Sequence, residues 1–195
     1  MQTTTLSFTN LHDHGVLFTN VLKARRETFI VQRKWNLPET DGMEFDQYDT
    51  PQSRWIAVHE FGHVLAGIRL TPTTARCGIY TYMIRDAQLG LLDTIPSTLL
   101  YEPAPVADHV WEASRVFVSS LVPADVRRHV QAQLIGEMGR TARDNGASQI
   151  LGLCPRAWMR WMRLLGHPTD HVGPCLDIGG SESVCVHISM ATKMH

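Results

Sequence analysis

The segment His59-Glu60-Phe61-Gly62-His63 carries the residue types of a zinc peptidase. In such enzymes two histidines four apart share one face of a helix, and the glutamate beside the first acts as general base. That chemistry needs a helix. RWIAV before the segment and HVLAGIRL after it are β-prone, and Gly62 and Gly67 disfavour helix. The extended zinc-peptidase pattern puts Gly at position 66 and His at 69, where this chain has Ala66 and Arg69. We read Phe61-Gly62 as a hairpin turn between two strands, and expect no metal there. His167, His171 and Cys175 lie in a loop-like stretch with Pro168 and Pro174, without the paired ligand clusters of a structural zinc.

A second constellation is made of charges in unusual places. Arg25 and Phe29 are one helical turn apart and share a face, and Trp35 follows them. Asp46 and Asp49 flank Gln47-Tyr48 in a turn-rich stretch. Arg69 ends an apolar run, and Glu112 and Arg115 sit inside another. Charges in apolar segments are costly unless paired. Three arginines (Arg25, Arg69, Arg115) face three acids (Asp46, Asp49, Glu112). The odd offset of Glu112 and Arg115 puts them on opposite faces of a regular strand, and a bulge would bring them together. A structural salt-bridge network accounts for the same residues as a binding site does.

The elements that must position these groups follow from periodicity. Residues 15–31 have apolar positions at roughly helical spacing. Residues 32–53 are polar and read as a long loop, a feature often functional in compact domains. Residues 54–70 read as the hairpin, and 86–92 as a short helix. In VWEASRVFVSS, alternation predicts a strand. Residues 123–145 form the best helix, with a stripe of Val126, Val130, Leu134, Ile135 and Met138, ended by Asn145-Gly146. SQILGLCP reads as a buried strand, RAWMRWMRLLG as a helix, and DHVGPCLDIGG with ESVCVHISM as closing β runs. This order suggests an α/β sandwich with a mixed sheet.

Composition narrows the classes. The chain has 195 residues, 44% apolar and 19% charged, which fits one globular domain over 1–195. The net charge of −1 argues against a general nucleic-acid binder. No apolar run is long enough for a membrane span, and the first residues lack the pattern of a signal peptide. The four cysteines form no C-x-x-C motif and read as reduced thiols, as in a cytoplasmic protein.

Five segments occur in a recognisable order: RRETF (Arg25 to Phe29), Trp35, EFDQYD (Glu44 to Asp49), GIRLTPT (Gly67 to Thr73) and WEASR (Trp111 to Arg115). Together they resemble the LuxI-type autoinducer synthases, the acyl-homoserine-lactone synthases, over roughly the first 120 residues. The resemblance implies a three-layer α/β/α sandwich with a mixed twisted sheet, similar to the GCN5-related N-acetyltransferases. It implies acyl transfer from a thioester, acyl-CoA or acyl carrier protein, to the amine of S-adenosylmethionine. Lactonisation with release of methylthioadenosine would follow. Both reactants are substrates, so no separate cofactor is expected. The implied catalytic set is Glu112 as general base, with Arg115 and Arg69. Arg25, Phe29, Trp35, Asp46 and Asp49 would serve the S-adenosylmethionine side, where aromatic faces suit a sulfonium.

The acyl tail needs an apolar pocket, for which Met83, Leu89, Phe117, Trp158 and Met162 are candidates. CGIYTYMIRDAQ resembles the branch using branched-chain or aryl acyl groups, often as CoA thioesters. No pyrophosphate-cradling glycine motif precedes the long helix. CoA would therefore be held by side chains such as Arg127, Arg128, Arg156, Arg160 or Arg163. The rival expectations are a zinc-dependent hydrolase using HEFGH and a generic amine N-acetyltransferase.

Overall fold

The structure, a computed structural model, describes residues 1–190. The chain divides into two compact units. The first comprises Met1–Leu70 with Arg115–Thr141, the second Thr71–Ser114 with the chain from Ala142 onward.

In the first unit, β1 (Gln2–Leu6) is followed by α1 (Leu17–Arg26) and a π-helical turn over Glu27–Gln32. A minimal hairpin of β2 (Glu39–Thr40) and β3 (Met43–Glu44) precedes the long hairpin of β4 (Arg54–Glu60) and β5 (His63–Pro72). β4 lies between β1 and β5, antiparallel to both, with Leu6 opposite Trp55 and Trp55 opposite Arg69. α1 buries Leu17, Val21, Leu22 and Arg25. This is a helical stripe whose last member is a charge. Leu17 and Val21 pack with Leu6, Trp55 and Ala57. Gly67 has no room for a side chain: a Cβ there would stand 2.6 Å from the Phe117 ring.

In the second unit, α2 (Met83–Gln88) leads to β6 (Val110–Val118), a strand whose last four residues belong to the first unit. α3 (Ala124–Asp144) is in the first unit through Thr141. β7 (Gln149–Pro155), α4 (Ala157–Leu164), β8 (Thr169–His171), β9 (Leu176–Ile178) and β10 (Ser181–Ser189) complete the second. The strand order here is β6, β7, β10, β8, with β9 also on β10. β6 and β7 run parallel from Val110/Gln149 to Ala113/Gly152, while β10 is antiparallel to β7, β8 and β9. The fold is thus mixed α/β with mostly antiparallel strands. Tyr82, Ile84, Ala87, Leu99, Val110, Leu151 and Cys185 form this unit's core.

Most of the periodic elements fall where the pattern puts them, but β1 was not expected and the helix read over 15–31 ends as a π-helical turn. α2 begins at Met83 rather than Asp86, because the Glu112 carboxylate accepts the N–H groups of Met83 and Ile84. The loop at 32–53 contains the β2–β3 hairpin, turned by Asp41 and Gly42 at φ 49° and 74°, a pair suited to a type I′ turn. Val126 of the α3 stripe is 38% exposed, whereas Val130, Leu134, Ile135 and Met138 are buried.

Candidate functional site: a buried arginine–carboxylate network

The β4–β5 hairpin decides the geometry of HEFGH. Phe61 and Gly62 turn it with φ of 49° and 83°. His59 pairs with Val64 and Glu60 with His63 across the ladder. His59 is buried, its Nε2 2.9 Å from the Thr4 hydroxyl, while His63 is exposed. The two imidazoles therefore lack the common helix face on which the peptidase spacing depends.

The charges converge instead. At the end of α1, the Arg25 side chain is 1% exposed. Its Nε donates to Glu44 Oε2 at 2.6 Å, and its two Nη atoms donate to the two Asp49 oxygens at 2.7 and 3.0 Å. Arg69, fully buried on β5, donates to Asp46 Oδ1 at 2.5 Å and approaches Asp49 Oδ1 at 3.1 Å. From β6, Arg115 reaches Glu44 Oε1 at 3.1 Å and Asp46 Oδ2 at 2.7 Å. Trp55 Nε1 adds a donor to Asp49 Oδ1 at 2.7 Å.

Three cations and three carboxylates thus neutralise one another in a site nearly closed to water; Arg69 and Arg115 each meet two acids and Arg25 meets all three. Bidentate forks of this kind fix orientation as well as charge. Burial works against the ionised form of both aspartates. Arg69 and Arg115 nevertheless hold Asp46 below the usual carboxylate range, and Arg69 with Arg25 holds Asp49 far below it. Burial and the neighbouring Arg69 work against the Arg25 charge, but Asp49 and Glu44 together outweigh them, so its pKa is raised.

Local backbone features aim these groups. The loop from Glu44 folds on itself: Asp46 N donates to Asp49 Oδ2 and Tyr48 N to Asp46 Oδ1, both at 2.9 Å. Arg115 takes a φ of 54° in the middle of β6, an uncommon conformation for a non-glycine residue. This interrupts the strict alternation expected of the strand. The π-helical turn after α1 carries Phe29, which stacks on Trp35 with centroids 5.1 Å apart and planes at 15°. The Arg115 guanidinium lies 5.8 Å from the Phe29 centroid, and Arg33 covers both rings at 5.2 and 5.3 Å. Trp35 is 40% exposed, so the stack is partly open to solvent. π-turns recur at functional sites.

Glu44 fills the third acidic place in this network, which the sequence reading gave to Glu112. Its position two residues before Asp46 in EFDQYD was the available signal. Glu112 is fully buried on β6 in the second unit. Its Oε1 accepts Ile84 N at 2.7 Å and its Oε2 accepts Met83 N at 3.3 Å. Beside it, Tyr82 donates its hydroxyl to the Pro105 carbonyl at 2.6 Å. Burial, with Glu112 adding to it, raises the phenol well above its ordinary pKa.

The candidate acyl-pocket residues lie in different places. Phe117 is buried against Gly67 and Phe29 in the first unit. In the second, Met83 packs on the core, Met162 is buried, Trp158 is half-buried against Trp161, and Leu89 is 57% exposed.

Comparison with known proteins identifies the family and the fold. The sequence pattern of the autoinducer synthase family matches residues 9–194. The chain belongs to that family. It is 26% identical over 178 residues to an acyl-homoserine-lactone synthase of Vibrio anguillarum, covering 89% of this chain and 86% of the relative. Its fold matches that of BjaI, a CoA-dependent acyl-homoserine lactone synthase solved with SAM and isopentyl-CoA. The TM-score is 0.76 at 21% identity, over 96% of this chain and 82% of the other. An acyl-CoA N-acyltransferase from Pseudomonas aeruginosa shares the fold at a TM-score of 0.60 and 15% identity, over 95% and 97% of the two chains. The expected acetyltransferase-like fold is therefore present.

Proposed function

We propose that this chain is an acyl-homoserine-lactone synthase that draws its acyl group from a CoA or carrier-protein thioester. The match over residues 9–194 carries the reading. In the first step the amine nitrogen of S-adenosylmethionine attacks the thioester carbonyl. A C–N bond forms, the C–S bond breaks, and the thiol leaves with a proton. In the second, the substrate's own carboxylate attacks its γ-carbon. The bond from that carbon to the sulfonium breaks, closing the lactone and releasing methylthioadenosine.

The amine attacks only as the free base, and Glu112 is our candidate for its proton. Its two oxygens accept the N–H groups of Met83 and Ile84, which fix the orientation of the carboxylate. The Phe29–Trp35 stack offers aromatic faces to the sulfonium. Arg25, Asp46 and Asp49 are assigned to that side, held in place by their ion pairs. Arg69, fully buried, acts by positioning Asp46 and Asp49 rather than by touching substrate.

The seat for an anionic donor is assigned to α4. Arg156, Arg160 and Arg163 line an open depression of about 490 Å³ with Met159, Leu164 and His171. Arg163 is fixed by the Thr169 carbonyl at 2.7 Å. No metal or cofactor enters this scheme, and its substrates suit a cytoplasmic enzyme.

The test is incubation of the purified chain with S-adenosylmethionine and a panel of acyl thioesters, read by mass spectrometry. A lactone and methylthioadenosine in equal amounts support the reading. An acylated amine without methylthioadenosine would make the chain an ordinary N-acyltransferase. Activity abolished by chelation and restored by zinc would revive the hydrolase alternative.

A further inference from the structure

Phe29 is a ring with almost no free surface. It is 1% exposed, and four side chains of the first unit surround it. Trp35 stacks on it at 5.1 Å, and Phe117 meets it edge-on at 6.1 Å. The guanidinium carbons of Arg33 and Arg115 stand 5.2 and 5.8 Å from its centroid. Two cations thus already lie within the distance at which an aromatic face attracts positive charge. Arg33 is also 5.3 Å from the Trp35 centroid, so one guanidinium serves both rings of the stack.

A third cation shares the Phe29 face only if a neighbour moves, and the four neighbours differ in what holds them. Trp35 is tied to Phe29 through its backbone, Trp35 N donating to the Phe29 carbonyl at 2.9 Å. Phe117 packs on Gly67. Arg115 is bound to both Glu44 and Asp46. Arg33 has no such anchor. The acids of its own segment are taken, since Glu27 accepts from Gln32 Nε2 at 3.2 Å and Glu39 pairs with Arg26. Among the described residues the Arg33 guanidinium has no hydrogen bond or ion pair. Its backbone is nevertheless fixed: Arg33 N donates to the Thr28 carbonyl at 3.2 Å, and Lys34, at φ 59°, turns the chain toward Trp35. Arg33 is exposed, so its side chain can swing into solvent while the π-helical turn stays in place.

We propose that Arg33 is a resident cation on the Phe29–Trp35 stack, which the sulfonium of S-adenosylmethionine must displace, and that it thereby sets the preference of this site between charged and neutral adenosyl ligands. The proposal rests on the synthase reading above, which puts the sulfonium at these rings. Guanidinium and sulfonium compete for one electron-rich surface, and like charges in contact repel strongly where water is partly excluded. Binding of the substrate therefore includes the work of moving Arg33 off the rings. A neutral thioether on the same adenosyl group meets no such opposition. When lactone closure breaks the bond from the γ-carbon to sulfur, the sulfur keeps the electron pair and loses its charge. Arg33 then returns to the rings unopposed.

The experiment is isothermal titration calorimetry of the full-length chain with three ligands. S-adenosylmethionine carries the charge. S-adenosylhomocysteine differs from it only in lacking the methyl group and the charge. Methylthioadenosine is neutral and lacks the amino-acid part. Arg33→Leu should tighten S-adenosylmethionine by about fivefold, the size of one partly exposed cation–π contact, and change the two neutral ligands by less than about twofold. Arg33→Lys keeps the charge and should keep the parental ratios. Arg33→Gln, neutral but polar, should follow Arg33→Leu and replaces it should the leucine variant fail to fold.

Weaker binding of both S-adenosylmethionine and S-adenosylhomocysteine in Arg33→Leu, with methylthioadenosine unchanged, would assign Arg33 to the substrate carboxylate and overturn the proposal. Equal tightening of all three ligands would make bulk rather than charge responsible and overturn it as well. A parent that binds all three, with ratios insensitive to position 33, refutes the role of Arg33 alone. A parent that binds none of them refutes the synthase reading and the proposal together.

Discussion

Arg25 meets Asp49 side-on, two nitrogens to two oxygens at 2.7 and 3.0 Å, while its third nitrogen holds Glu44. One arginine at the end of α1 thereby ties the 44–49 loop to the helix. Removing one member of a buried ion network leaves its partners charged and uncompensated, which costs about 3–5 kcal/mol. Arg25→Met should therefore lower the free energy of unfolding by about that amount in urea denaturation. Arg25→Lys should fall between, because an ammonium cannot span both acids. Full stability in Arg25→Met, coupled with lost activity, would show that the side chain serves the ligand rather than the fold.

The same network sets an acid limit. Asp46 and Asp49 titrate below the value of about 3.9 expected in the unfolded chain. Their contribution is fully present above that value and is lost as pH falls through the folded-state values. His59, His167 and His187, all lowered primarily by burial, act in the same direction at higher pH. Their contribution is intact above the unfolded histidine pKa of about 6.5 and declines below it. Melting temperature measured from pH 8 to 3 should thus fall in two stages, one beginning near pH 6.5 and a steeper one below about pH 4. A flat profile down to pH 3 would contradict both assignments.

Glu112→Gln tests the base. The amide keeps an oxygen for the Ile84 N–H, gives up only the longer bond from Met83 N, and cannot accept a proton. The fold should survive, and kcat should drop by about two orders of magnitude or more. Glu112→Ala should in addition loosen α2, seen as faster amide exchange at Met83 and Ile84. Near-normal turnover in Glu112→Gln would leave Glu112 as the anchor of α2 only.

The parts legible in the sequence were those set by local pattern. The β4–β5 hairpin followed from two β-prone runs around Phe61-Gly62, and α3 from the stripe at Val130, Leu134, Ile135 and Met138. β1 was not legible, because Thr3, Thr4 and Thr5 read as polar until β4 is there to pair with them. Arg25, Arg69 and Asp46 were conspicuous as charges in costly places, and their pairing follows from that cost. Which acid completes the set is a tertiary fact. Glu44 and Glu112 are equally plausible on paper, and only the course of the 44–49 loop brings Glu44 to Arg25 and Arg115. The left-handed conformation of Arg115 likewise has no signature in WEASR.

Gly173 offers a last check on the second unit. A Cβ at this position would lie 1.9 Å from the Leu99 carbonyl oxygen and 2.8 Å from its carbon, both backbone atoms unable to swing aside. The neighbouring Tyr101–Val172 hydrogen bond locks the two segments at this spacing. Gly173→Ala must push residues 99–101 away from 172–173. The cost should be about 3 kcal/mol, at the upper end for overpacking. The displaced segments carry Leu100 and Val172, two walls of a cavity in the second unit, which should widen as stability falls. A Gly173→Ala protein that unfolds at the parental urea midpoint would mean that the 99–101 segment packs elsewhere.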